Sequence, residues 1–261
     1  MMNRFFTFCF LLAFSLVPSF GAGLRVLFIG DSVTDGGWGC SGGSAKASKD
    51  RNHWDLNHLY GHSYMMLCAA DIESRYPYSG IVFLNRGISG DDTWRMLQRW
   101  QQDAIDTRPD VLSLLEGTND VLYYLDSLQT DSISHSFSME AWEKNYRSLL
   151  DSSMAANPAL RIILATPFVA KVGRIGERSD YELREQLIDS MSVRIRDIAA
   201  EYDALLVDYN LMFRELLSDR SVPASHWIWD GIHPSAAGHR RMADLWLQTF
   251  VRFLHSKENS F

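Results

Sequence analysis

Five short apolar runs most restrict what this chain can fold into: Leu24–Gly30, Ile81–Leu84, Val111–Leu115, Arg161–Ala165 and Ala204–Val207. Each is apolar along its length instead of at every second position. A strand with one wet face alternates, whereas a strand covered on both faces does not. Amphipathic segments separate the runs. Helices are expected at about His62–Tyr76, with Tyr64, Leu67, Cys68 and Ile72 at helical spacing, and at Thr93–Ile105, with Trp94, Leu97 and Trp100 facing inward. Others are expected at Val121–Leu128, Ser138–Ala156 (Ser138 as N-cap; Trp142, Tyr146, Leu149 and Leu150 apolar), Ser179–Tyr202, Leu211–Leu217 and Ser235–Leu254. Arg108-Pro109 and Asn157-Pro158 stop two of them. Strands alternating with helices predict an α/β fold of three layers, α/β/α, around a parallel sheet.

The first 22 residues read as something other than fold. Arg4 and the amino terminus supply positive charge, Phe5–Val17 is an apolar core, and Ser19, Gly21, Ala22 and Gly23 are small. That is the pattern of a secretion signal cleaved near Ala22, too short for a spanning helix, and it implies a secreted or periplasmic protein. Cys9 lies within the apolar core, not at its end, which argues against a lipid-anchored cysteine. No later segment is long and apolar enough to cross a membrane, so no stable membrane insertion is expected after cleavage. Residues 23–261 suit one domain. With 25 Lys and Arg against 32 Asp and Glu, and no basic cluster, nucleic acid is excluded as a partner. Cys40 and Cys68 remain after cleavage, either as a disulfide or as two thiols, with no metal-ligand spacing around either.

The polar motifs fall where strands end. Gly30-Asp31-Ser32 follows the first run, Gly87–Asp91 the second and Gly117–Asp120 the third, while Asp230-Gly231-Ile232-His233-Pro234 precedes the last helix. The carboxyl ends of parallel strands share one edge of the sheet, so topology gathers motifs that lie far apart in the chain. Serine needs a base before it can act as a nucleophile. Imidazole titrates near working pH, which makes His233 the candidate base and Asp230, three residues earlier, its orienting carboxylate. Pro234 biases His233 toward extended backbone. An oxyanion formed by attack of Ser32 needs convergent donors: the N–H groups of Ser32 and Gly90 and the side-chain amide of Asn119 are the candidates.

These motifs resemble those of the SGNH/GDSL hydrolases. GDSVTDG (Gly30–Gly36) is similar to that family's first block, with Val33 in place of leucine. NRGISGD (Asn85–Asp91), GTND (Gly117–Asp120) and DGIHP (Asp230–Pro234) are similar to the second, third and fifth. The resemblance runs from Leu24 to about Phe253. It implies a flavodoxin-like α/β/α sheet, esterase or lipase-type activity, Ser32 as nucleophile, Gly90 and Asn119 as oxyanion donors, and Asp230 with His233 completing a triad. Gly90 fits the second block better than Gly87. Gly37–Gly61 is a long insertion relative to compact members. Its polarity, with Trp38, Trp54 and Tyr60, predicts an ordered loop near the site.

Other residues have plainer readings. Asp31 is a turn or cap residue, Asp120 caps the helix that follows it, and His239 is a partly exposed helix residue. His53, His58 and His62 read as loop polarity instead of metal ligands, so neither metal nor cofactor is expected. Trp54, Trp227 and Trp229 are the candidate substrate contacts; core packing and a stacking wall for a sugar ring account equally well for Trp227 and Trp229. The expected function is hydrolysis of a small-molecule or glycan ester by Ser32, with an O-acetyl or other short acyl group on carbohydrate as the expected substrate. A lipase, lysophospholipase or thioesterase of the same family needs an apolar groove, which the polar Gly37–Gly61 loop does not supply. A metal-dependent phosphoesterase lacks its usual Asp-x-His opening. A carbohydrate-binding protein on an inactive hydrolase scaffold is opposed by intact Ser32, Asn119, Asp230 and His233.

Overall fold

The computed structural model describes residues 23–130 and 138–258, so the secretion signal expected at 1–22 lies outside the described residues. All five apolar runs are strands of a single parallel sheet. In chain order, β1 (Arg25–Gly30) runs into a one-turn helix α1 (Ser32–Asp35), and α2 (Tyr64–Arg75) returns to β2 (Val82–Asn85). Next come α3 (Thr93–Trp100), β3 (Val111–Leu115), α4 (Thr118–Thr130), α5 (Met139–Ala156) and β4 (Arg161–Ala165). The chain ends through α6 (Gly173–Gly176), α7 (Tyr181–Glu201), β5 (Leu205–Val207), α8 (Tyr209–Ser218) and α9 (Ala236–Glu258). No described helix is long and apolar enough to cross a membrane.

The strand order is β2-β1-β3-β4-β5. Val26 pairs with Phe83 on one side and Val111 on the other, so β1 is central. The chain steps outward to β2 and then back across β1 to β3. That reversal opens a crevice at the carboxyl ends of β1 and β3, where ligands of such sheets bind.

Successive strand residues face opposite layers, which is why the runs are apolar throughout. Val26 and Phe28 join a core with α2, α8 and α9. Leu27 and Ile29 join a second core with α3, α5 and α7. Trp246 of α9 anchors the first core: its ring centroid lies 4.6 Å from that of Phe28 and 4.6 Å from that of Phe250. Its indole N–H donates to Ser113 Oγ on β3 at 3.0 Å, satisfying the polar atom carried into the interior.

Most element boundaries match expectation to within two residues. Ser138 caps α5, its side chain accepting from the Ala141 N–H. Three differences have physical causes. The α4 helix begins at Thr118, inside the third motif, because Gly117 at φ +133° turns the chain directly from strand to helix. Trp94, expected inward, is 45% exposed. The buried stripe of α3 runs through Met96 and Trp100, four apart, and Trp94 falls on a neighbouring face. Beyond Trp100 the helix widens into a π turn, Gln101–Ile105. Cys40 is exposed, Cys68 is buried, and both are free thiols.

Replacing Trp246 with Ala removes a wholly buried side chain and strands Ser113. Urea denaturation is expected to register a loss of about 3–5 kcal/mol for W246A, with the unfolding slope unchanged.

Candidate active site

Gly30 ends β1 at a point too tight for a side chain: a Cβ there would sit 2.3 Å from the Leu115 carbonyl oxygen. The next residue, Asp31, caps α1 by accepting the Val33 N–H at 2.8 Å, as expected of a cap residue. Ser32 is thereby the first residue of a helical turn, with its hydroxyl at the sheet edge. That hydroxyl lies 2.8 Å from His233 Nε2, and His233 Nδ1 lies 2.8 Å from Asp230 Oδ2. Nδ1–H donating to the carboxylate leaves Nε2 as the acceptor for the Ser32 proton.

The loop carrying Asp230 and His233 is closed by its own contacts and tied to the α6 region, where the Ala170 N–H donates to the Gly231 carbonyl at 2.8 Å and the Ile175 N–H to the Asp230 carbonyl at 3.1 Å. An antiparallel bridge joins Ile228 to Pro234, and the Trp229 N–H donates to the His233 carbonyl at 3.0 Å. Gly231, at φ +104°, packs so closely that a Cβ would lie 2.5 Å from Ile175 Cβ. Within the loop, Asp230 Oδ1 accepts the N–H of Ile232 at 3.1 Å and of His233 at 2.8 Å. Arg174 on α6 reaches Oδ2 at 3.2 Å. Burial would push the Asp230 carboxyl up, but hydrogen bonds from the His233 ring and from these two N–H groups outweigh it and hold it well below the ordinary carboxylate range. The carboxylate is therefore ionised at any working pH and able to stabilise an imidazolium.

The second and third motifs are tied to the first. Ser89 donates through its N–H (2.8 Å) and hydroxyl (3.1 Å) to Asp35 Oδ2, and the Tyr123 hydroxyl donates to the Gly90 carbonyl at 2.8 Å. Gly90 is thus held on both sides, at φ +84°. The Asn119 amide donates to the Asp91 carbonyl at 2.7 Å and to Asp31 Oδ2 at 3.4 Å. An oxyanion reaching Asn119 would have to compete for the second of these hydrogens. Asp120, in the first turn of α4, also accepts from the N–H (3.2 Å) and hydroxyl (2.6 Å) of Thr93, fastening the start of α3 to the third motif.

Carboxylates crowd beneath this edge. Burial, against the Val33 N–H, pushes Asp31 up to about 6. Burial, opposed by the Thr93 hydroxyl, pushes Asp120 up to about 7. Burial, then the charges of Asp31 and Asp120, pushes Glu116 well above the ordinary range. Each shift disfavours the ionised folded state.

Around Ser32 lies an open cleft of about 660 Å³, lined by His233, Trp229, Ser89, His239 and four glycines of the Gly36–Gly43 segment, with Cys40, His58 and His62 at its edge. The long loop is ordered and borders the site. Trp229 is 59% exposed and stacks on His233 at 6.2 Å and 22°. Trp227 packs against the α9 core, so its place is structural. Trp54 is 81% exposed and lies outside the residues lining the cleft.

Three features escaped sequence reasoning. His239, half-buried in the first turn of α9, accepts the Tyr64 N–H at Nδ1 (3.1 Å) and lines the cleft. Burial, then His233, pushes it down to about 4, so it is a neutral acceptor. Asp35 pairs with Arg51 at 2.6 Å, both side chains wholly buried. GDSVTDG contains Asp35, but its partner lies in an aperiodic loop. Finally, ligand atoms of Cys40, Asp55 and His58 lie within 4.8 Å of one another, a group that could hold a metal ion although the chain shows no metal-ligand spacing there.

The switch-point cleft and this serine–imidazole–carboxylate series define a class, the carboxylic-ester hydrolases built on a parallel α/β/α sheet. Within that class the chain belongs to the GDSL-like lipase/acylhydrolase family, which it matches over residues 28–241. It is 31% identical over 229 residues to an acetylxylan esterase of Geobacillus stearothermophilus, covering 87% of this chain and 94% of that protein. The crystal structure of Axe2, an acetylxylan esterase from the same organism, superposes with a TM-score of 0.69 at 29% identity over 88% of this chain and 95% of that one. A GDSL-like lipase candidate from Parabacteroides merdae gives a TM-score of 0.72 at 26% identity over 89% of this chain and 98% of that one.

The raised carboxyls make a pH prediction. A carboxyl whose folded pKa lies above its unfolded value adds stability below the unfolded value and loses it as pH rises through the folded one. For Asp120 that window runs from the ordinary 3.8 to about 7. The stability of wild type minus that of Asp120→Asn is expected to decline between pH 4 and 7 in paired urea titrations. A rising difference would contradict the shift.

Proposed function

We propose that this ester hydrolase removes acetyl or similarly short acyl groups from a carbohydrate, with Ser32 as nucleophile, His233 as general base and Asp230 as its partner. The hydrogen-bonded series of Ser32, His233 and Asp230, with both contacts at 2.8 Å, carries the proposal. His233 takes the Ser32 proton as Oγ attacks the ester carbonyl, and the imidazolium shares its charge with Asp230. Donors at Ser32 N–H, Gly90 N–H and Asn119 receive the oxyanion. As the bond from the carbonyl carbon to the sugar oxygen breaks, His233 gives the proton to that oxygen, which leaves as the sugar hydroxyl and leaves Ser32 acylated. Water, deprotonated by the same imidazole, releases the acid from the acyl-enzyme.

The short acyl group is supported by the open cleft, whose walls of glycines, histidines and serines beside Trp229 and Pro234 carry no aliphatic side chains to line a long acyl chain. The carbohydrate is supported by Trp229, an exposed indole stacked on His233, and by the likeness to an acetylxylan esterase. Export guided by residues 1–22 would put the enzyme where polysaccharide is met.

Ser32→Ala should abolish hydrolysis of p-nitrophenyl acetate while the circular dichroism spectrum and unfolding midpoint stay at wild-type values; retained turnover removes the mechanism. Asn119→Ala should lower kcat by about 10²–10³. Trp229→Ala should raise KM for acetylated xylo-oligosaccharide severalfold and leave KM for p-nitrophenyl acetate nearly unchanged. In a chain-length series, rates should fall from acetyl to octanoyl, and a rise would replace this proposal with a lipase.

A further inference from the structure

Cys40, Asp55 and His58 belong to no step of ester hydrolysis, yet the fold brings them together. The loop between α1 and α2 folds back on itself so that the Gly39 N–H donates to the His58 carbonyl at 2.7 Å and the Asn52 N–H donates to the Gly39 carbonyl at 2.9 Å. These two bonds set Cys40 beside His58 through the backbone itself. Arg51, next to Asn52, is locked into its buried pair with Asp35, so this part of the loop is fastened to the sheet edge. Asp55 is joined to His58 by a side-chain contact of 2.8 Å between Oδ2 and Nδ1. Cys40 holds left-handed backbone, φ +61°, which costs a residue with a Cβ some stability and which the surrounding turns impose.

We propose that Cys40, Asp55 and His58 form a binding site for a thiophilic divalent cation of the zinc type, and that the bound ion obstructs the cleft over Ser32. One sulfur, one imidazole nitrogen and one carboxylate oxygen are a donor set that zinc accepts, with water at the fourth corner. Tetrahedral zinc holds such atoms about 3.4–3.6 Å apart. Here they all lie within 4.8 Å of one another, with the imidazole and carboxylate pair at 2.8 Å. Adjustment of three partly or fully exposed side chains closes the difference. On binding, the Cys40 thiol releases its proton to water and coordinates as thiolate, His58 coordinates as neutral imidazole, and Asp55 coordinates as the carboxylate it already is. Cys68 cannot substitute, being buried.

The site shares a wall with the reaction. Cys40 and His58 border the same cleft as Ser32, Trp229 and His233. An ion there, with its water, occupies space that a sugar ester would need.

Cobalt(II) titration of the full chain tests the site. One equivalent should produce a thiolate-to-metal charge-transfer band, displaced by one equivalent of zinc. The band should vanish in Cys40→Ser, and zinc affinity should drop at least about tenfold in His58→Ala and in Asp55→Asn. Absence of the band in wild type, or equal zinc affinity in wild type and all three variants, overturns the proposal. In the same preparations zinc should inhibit p-nitrophenyl acetate hydrolysis in wild type, reversibly by chelator, and spare Cys40→Ser, each measured against its own metal-free rate. Equal inhibition of Cys40→Ser would assign the effect to His233 and His239 and overturn obstruction from this site. The binding measurements do not depend on which residue attacks the ester.

Discussion

The buried ion pair of Asp35 and Arg51 is the interaction on which the arrangement of this sheet edge depends. Asp35 ends the helical turn that begins with Ser32. Its carboxylate receives both terminal nitrogens of Arg51 from the long loop, at 2.6 and 3.0 Å, and the N–H and hydroxyl of Ser89 from the second motif. Arg51 in turn donates to the carbonyls of Lys46 and Trp38 and lies over the Trp38 ring at 4.6 Å. One charge pair therefore joins three pieces of chain that share no strand. Two ions removed from water are costly unless every lone pair and proton is used, and here nearly all are. Loss of either partner leaves an uncompensated buried charge, a penalty of about 3–5 kcal/mol borne where the chemistry happens.

A second layer of contacts makes the edge rigid. The Trp38 indole donates to the Gly87 carbonyl at 2.7 Å, and the Asn85 amide reaches the carbonyls of Thr34 and Tyr60 at 3.0 and 2.9 Å. Thr93 and Asp120 clasp the start of α3 to the third motif. Gly90 and Asn119 are thus held from behind by neutral hydrogen bonds and by carboxylates whose ionisation burial resists. Burial raises the Asp31, Glu116 and Asp120 carboxyls above the ordinary carboxylate range, which resists the build-up of negative charge that would oppose an oxyanion.

Much of this was legible in the residues. Strands announce themselves because burial on both faces demands continuous apolar runs, and the motifs at their ends are gathered by topology alone. Helical phase was less secure: one position is about 100° of rotation, enough to turn Trp94 outward while Met96 and Trp100 stay in. Asp120 was recognised as a cap, but its bonds to Thr93, 27 residues earlier at the start of α3, were not. Such a pairing has no period to reveal it. The same holds for Arg51 with Asp35, for His239 beneath the cleft and for Cys40 with Asp55 and His58. In an irregular loop, contacts follow from the path of the backbone, and composition says only that the loop is polar.

The loop from Ile228 to Pro234 carries the His233 imidazole and the Asp230 carboxylate on one short length of chain closed by its own bridge, while Ser32 sits on another element. Imidazole and carboxylate therefore share one stretch of backbone, and an opening between this loop and α1 would part the Ser32 hydroxyl from the His233 ring while leaving the His233–Asp230 contact in place.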